Sequence, residues 1–150
     1  MTQGERLARF SRLVRGSSMK RFRRVRPEDR GWRPALGRLS FVDHLKHLVD
    51  CDRWILAVAQ DRDEPMADIR PGEGDVSFWD EYMADLERLG DEKASFFGRL
   101  DDRQMDRVLD KPDGIRGTEV GTLILRHNLD HEIHHRGALN LLLLLKYPEN

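Results

Sequence analysis

The six histidines of this 150-residue chain fall in two short segments, His44 and His47 in one and His127, His131, His134 and His135 in the other. Neutral imidazole is a common ligand for zinc, nickel, copper and iron, and a four-residue helical spacing aims two rings at one point. His131 and His135 have that spacing, so metal binding is the first chemistry to consider. On a helix advancing about 100° per residue, His131 shares a side with Val120, Ile124, Ala138 and Leu142, and His127 and His135 flank that line by about 40°. The same construction groups His47 with Cys51, Trp54 and Val58, leaving His44 and Asp50 at the margins.

Imidazoles crowded in an apolar interior repel if charged and lack partners if left alone. A divalent cation removes both difficulties, and His47, His131 and His135 are its expected ligands. Taken singly, each ring also fits a hydrogen-bonded core histidine. His127 lies about 12 Å along the axis from His135, which assigns it to a cavity wall or to contacts behind the ligands. His134 and His44 are expected at the rim. Asp50 or Asp130 can orient a ligand ring from behind. Three protein ligands leave a position open to water or substrate, as in catalytic zinc sites, where water or a thiolate is activated or a carbonyl polarised. Cys51 projects beside the site, but a lone cysteine on an apolar face usually packs.

His131-Glu132-Ile133-His134-His135 also satisfies the H-E-x-x-H pattern of zinc proteases. That chemistry needs a third ligand, commonly downstream, yet only fifteen residues follow His135, and Ala138 stands where the extended motif has glycine. Glu132 is also rotated about 100° from His131. The protease reading is set aside.

The elements that must position these residues are helical. Leu7, Phe10, Val14, Phe22 and Val25, with Ser18 filling a polar gap, predict a first helix over 3–25 that Pro27 ends. Pro27 to Pro34 is a connector whose Trp32 folds back onto the core. Ser40, with Asp43 three residues on, predicts the N-cap of a helix reaching about Gln60. Pro65, Pro71, Gly72 and Gly74 mark a long loop. Ser77 with Asp80 predicts another cap, and Trp79, Met83, Leu86, Phe97 and Leu100 trace a third helix ending near 99–101. After the break at Lys111-Pro112-Asp113-Gly114, Thr118 is the expected cap of a last helix that Tyr147-Pro148 terminates. No strand pattern or repeat is present. The reading is an all-α, single-domain four-helix bundle over 1–150 with a long connector between helices 2 and 3.

Composition bounds the function. Twenty-six basic residues nearly cancel 27 acidic ones, and no apolar run approaches the roughly 20 residues of a membrane span. The opening residues carry no secretion signal, and Cys51, the one cysteine, cannot form an intramolecular disulfide. A soluble cytoplasmic protein without a membrane partner is expected. Residues 1–38 hold twelve Arg or Lys against three acids. With no nucleic-acid motif beside it, this charge reads as the solvated face of an amphipathic helix.

Arg33-Pro34-Ala35 with Leu39-Ser40-Phe41-Val42-Asp43-His44-Leu45-Lys46-His47-Leu48, and the later Leu129-Asp130-His131-Glu132-Ile133-His134-His135-Arg136-Gly137-Ala138-Leu139, give the chain a resemblance to the DinB/YfiT-like superfamily of metal-binding four-helix bundles. The resemblance implies one ligand from the second helix and two from the last, which maps onto His47, His131 and His135. It further implies zinc, nickel or a similar ion, frequent homodimers, and in some branches transferases or isomerases that use a low-molecular-weight thiol. Leu125, Leu129, Ile133, Leu143 and Leu144, on the far side of the last helix, are the expected dimer face. The functional expectation is a metal-dependent enzyme that activates a thiol or water against a small electrophile. The alternative is a noncatalytic module in which the ion holds the helices together.

Overall fold

Every regular element of the computed structural model, which describes residues 1–111 and 113–149, is helical, and one isolated β-bridge joins Val108 to Glu119. Three long helices, α1 (Gln3–Arg23), α2 (Phe41–Val58) and α3 (Trp79–Arg99), precede a one-turn α4 (Asp102–Met105). The last helical stretch comprises α5 (Val120–Leu123), a π-helical segment (Ile124–Asp130) and α6 (His131–Lys146), in direct succession. Helix α3 packs against both α1 and α2, and α6 packs against α1 and α2. No described helix is long and apolar enough to cross a membrane.

Local chemistry explains most boundaries. Ser40 and Asp43 form the expected capping box at α2. Thr2 and Glu5 form an unanticipated one at α1. Two expected caps are corrected. Asp75, not Ser77, accepts from backbone ahead of α3, because its carboxylate takes both the Ser77 N–H and hydroxyl, and α3 itself starts at Trp79 without a side-chain cap. Thr118 does not cap the last helix: its carbonyl accepts from Leu109 N–H in the bridged turn, and Glu119 occupies the N-cap position with no side-chain bond. Pro112, in the break expected there, lies outside the described residues.

Phe22, Phe41, Leu45, Ile55, Leu86, Phe97, Leu123, Ile124 and Leu139 are buried in one core. Trp32 packs on it, its ring centroid 5.9 Å from that of Phe41. Of the expected partner-facing leucines, Leu129 and Leu143 are buried in this core, whereas Leu125 and Leu144 are about half exposed. Phe10, placed on the buried stripe of α1 by periodicity, is 45% exposed.

Among the apolar side chains lies a buried ion cluster. Arg15 Nε donates to Glu132 Oε1 at 2.8 Å and Arg15 Nη1 lies 2.7 Å from Asp52 Oδ2. Lys93 Nζ is 2.6 Å from Asp52 Oδ1 and 3.5 Å from Glu132 Oε2. One charge comes from each of α1, α2, α3 and α6, and the two cations match the two carboxylates. Gly90 makes room, since a Cβ there would sit 2.7 Å from Arg15 Nη1. Much of the basic first quarter is likewise engaged: Arg26 stacks on Tyr147, Arg30 on Trp79, and Arg15 is buried.

Removing one member strands its opposite charges away from water. Glu132→Ala is expected to lower the unfolding free energy by about 3–5 kcal/mol, read by urea denaturation. A loss below about 1 kcal/mol would show that the cluster does not constrain the helices.

Candidate metal centre

The connector at 59–75 is strapped onto the start of α2. Asp43 bonds the cap residue Ser40 and also accepts from Gly72 N–H at 3.1 Å and Gly74 N–H at 2.8 Å. A Cβ on Gly74 would lie 2.6 Å from the Val42 carbonyl, so only glycine permits this approach. These backbone bonds hold the Asp43 carboxyl below its usual range against the opposing effect of burial. The strap brings Asp68 to His47 of α2, and Met66 and Ala67 to a cleft that Cys51, Trp54 and His131 also line.

The three expected ligands meet. His47 Nε2 lies 3.2 Å from His131 Nε2, which lies 3.0 Å from His135 Nε2, and the ligand atoms of the three fall within 4.8 Å of one another. An imidazole nitrogen offers one N–H or one lone pair, so His131 Nε2 cannot satisfy both neighbours by hydrogen bonding. Two nitrogens each about 2.1 Å from a common ion stand about 3.0–3.4 Å apart at octahedral to tetrahedral angles. The donor set and two of the three spacings therefore fit a shared divalent ion, and a small closure of the third pair, which lies within 4.8 Å, brings all three rings to it. Burial pushes the pKa of His131 down to about 4 and that of His135 to about 2, and neighbouring imidazoles add to both shifts. The rings are neutral, as ligands must be.

His44 departs from the rim position expected for it. It is 4% exposed, and its Nδ1 lies 2.9 Å from His135 Nδ1. With His135 Nε2 on an ion, its Nδ1 must carry the proton and donate to His44. The margin of a helical projection is still interior here because the 30–39 connector and α6 close over it. Asp50 is paired instead with Lys46 at 2.5 Å and Arg53 at 3.5 Å, and Asp130 is exposed. Neither bonds a triad ring among the described residues, whereas the Asp68 backbone carbonyl accepts from His47, against the burial that lowers that ring's pKa. Cys51 Sγ is 3.5 Å from His47 Nε2 but outside the triad, and burial pushes its thiol up to about 12.

The π-helical segment explains a shift of face. The line placed on His131 assumes uniform rotation through 120–142, but i→i+5 bonding over Ile124–Asp130 accommodates extra chain. As a result the buried line of α6 runs through Glu132, His135, Leu139 and Leu142, and His131 is half-buried beside it. Glu132 points into the ion cluster, away from the triad, so the protease-like motif is not assembled.

His127 stacks edge-on to Trp54, centroids 5.8 Å apart, in the wall of a cleft of about 470 Å³ that His131, Cys51, Met66 and Arg126 also line. A second cleft of about 720 Å³ is lined by Leu39, Ile69, Ala138 and Leu142 with His44 and His135. His131 and the exposed His134 belong to both, so these two rings are the wall that the clefts share.

Fold and site thus define an all-helical protein in which imidazoles from two helices meet between clefts. The family model of the DinB superfamily matches residues 12–139, and the chain belongs to that superfamily. No curated protein and no solved structure matches it.

Unfolded histidines titrate near 6.5, whereas His44, His131 and His135 hold pKa values of about 4, 4 and 2 when folded. Below about pH 6.5 the unfolded chain binds more protons, so these rings lower stability as pH falls from 6.5 toward 4. The urea midpoint of the metal-free protein is expected to drop between pH 7 and pH 5. An unchanged midpoint across that window would contradict neutral buried rings.

Proposed function

We propose that residues 1–150 form one domain, a four-helix bundle whose last helix spans α5 to α6, and that His47, His131 and His135 bind one divalent ion, zinc or nickel. The observation that carries the reading is the approach of His47 Nε2 and His135 Nε2 to His131 Nε2, on a ring that lines both clefts. An ion held by three imidazoles keeps an open position and lowers the pKa of a thiol or water brought to it. The role assigned to the protein is a metal-dependent transferase, isomerase or hydrolase, working in the cytoplasm on a small electrophile with a low-molecular-weight thiol or water.

The residues divide the work. His44 accepts the His135 Nδ1 proton and so fixes that ring's tautomer and orientation. The Asp68 backbone does the same for His47, and the strap anchored on Asp43 keeps it in place. The clefts hold reactants against His131 from two sides, and Trp54 and Met66 limit water on one of them. We further propose a homodimer through the exposed Leu125, Leu144 and Leu145. A noncatalytic reading has one observation in its favour: the triad bridges α2 and α6, so an ion would also tie the helices together.

Untagged protein is expected to take up one zinc or nickel ion per chain and to accelerate attack of a thiol on an electrophile such as 1-chloro-2,4-dinitrobenzene, the thiolate displacing chloride. His135→Ala should abolish both without unfolding the chain, while His44→Asn, which keeps an acceptor near the Nδ1 position, retains the ion. Uptake that only raises the melting temperature, with no thiol or hydrolytic activity, favours the noncatalytic module. Undiminished uptake by His135→Ala overturns the metal site.

A further inference from the structure

We propose that the cleft bounded by Trp54, Met66, Arg126 and His127 binds a small carboxylate-bearing molecule, with Arg126 pairing with the carboxylate while the other end of the molecule reaches the triad. The proposal rests on the preceding reading for the ion, and its Arg126 half stands on the cleft alone.

Arg126 comes from the π-helical segment, four residues before Asp130, and both line this cleft. Among the described residues neither makes an ion pair or side-chain hydrogen bond, so the guanidinium has its fork of donors free in a concave site. Some arginines are paired with acidic side chains, as Arg53 is with Asp85 at 2.7 Å and Arg107 with Asp61 at 2.7 Å; Arg126, which is exposed, is distinguished by its place at the cleft that His131 lines. The charge of Arg126 is felt inside the cleft, since it adds to desolvation in lowering the pKa of His127. Trp54 lines the same cleft, and its indole N–H is buried without a hydrogen-bond partner, which makes that group a reporter of what occupies the cleft. With neutral imidazoles, Arg126 and Asp130 balance, so anion binding without the ion rests on the unpaired guanidinium itself, and an ion at the triad would make the cleft net positive. A guanidinium matches a planar carboxylate through two parallel N–H bonds. The apolar faces of Trp54 and Met66 suit the carbon skeleton between the two ends. The other cleft is lined by Leu39, Ile69, Ala138, Leu141 and Leu142 together with Arg38, so substitution of Arg126 is what assigns the anion to the first cleft.

The cobalt(II)-loaded full chain is titrated with 3-mercaptopropionate and with 2-mercaptoethanol, thiols of similar size of which only the first carries a carboxylate. The near-ultraviolet sulfur-to-cobalt band is followed. The acid is expected to bind about fivefold more tightly at low salt, in the range of a partly exposed ion pair, and Arg126→Gln should reduce the ratio to about one. Equal affinities in the wild type, or a preference unchanged by Arg126→Gln, overturn the inference. A metal-free arm separates this from failure of the metal reading. Phenylacetate, but not 2-phenylethanol, should shift the Trp54 indole N–H resonance, and Arg126→Gln should remove that shift. If cobalt does not bind yet this arm succeeds, the ion is wrong and the Arg126 site stands. If neither acid binds in either arm, the Arg126 site is wrong.

Discussion

The buried cluster of Arg15, Asp52, Lys93 and Glu132 fixes the register on which the histidines depend. Its carboxylates come from the same two helices that supply the triad, Asp52 five residues after His47 and Glu132 directly after His131. Slipping α2 against α6 would move ring nitrogens apart and would also leave a buried carboxylate without its cation. Burying such pairs adds little net stability compared with an apolar core, but breaking one is costly. The arrangement therefore discriminates between alignments more than it strengthens the fold. Each of the two helices thus carries a charged residue toward the cluster and an imidazole toward the clefts, on adjacent faces.

A second constraint comes from the connector at 59–75, which has no helix of its own. Its approach to α2 is set by backbone N–H groups at Gly72 and Gly74 bonding one carboxylate, Asp43, that already closes the α2 capping box. One side chain thus starts the helix bearing His44 and His47 and holds the segment that covers them. The π-helical segment plays the corresponding part on the opposite side, placing Arg126, His127 and Asp130 around a cleft that His131 enters.

Much of this was legible in the sequence. Helical periodicity located the long helices, the Ser40 and Asp43 pair marked the start of α2, and four-residue spacing brought His131 and His135 together with His47. What escaped reading depends on partners distant in sequence. Arg15 and Lys93 are charged residues of a kind seldom buried without a partner, and the partner of Arg15 lies 117 residues away. Ser11 and Ser18, small polar residues on the stripe around Arg15, were the available signal. His44 was misplaced because a helical projection does not include the connector that covers it. The faces of the last helix were rotated because one turn angle was applied through a π-helical segment. Ser77 and Thr118 failed as caps because a neighbouring carboxylate and a bridged turn claimed the same backbone positions.

His47, His131 and His135 are proposed to hold one cation with a position left open. X-ray absorption at the metal edge of zinc- or nickel-loaded protein tests it most directly. Three imidazole nitrogens are expected at about 2.0–2.1 Å with the multiple scattering of their rings, plus a light-atom ligand that a small thiol replaces with sulfur. A first shell with fewer than three imidazoles, or one already containing sulfur in the absence of added thiol, would contradict it.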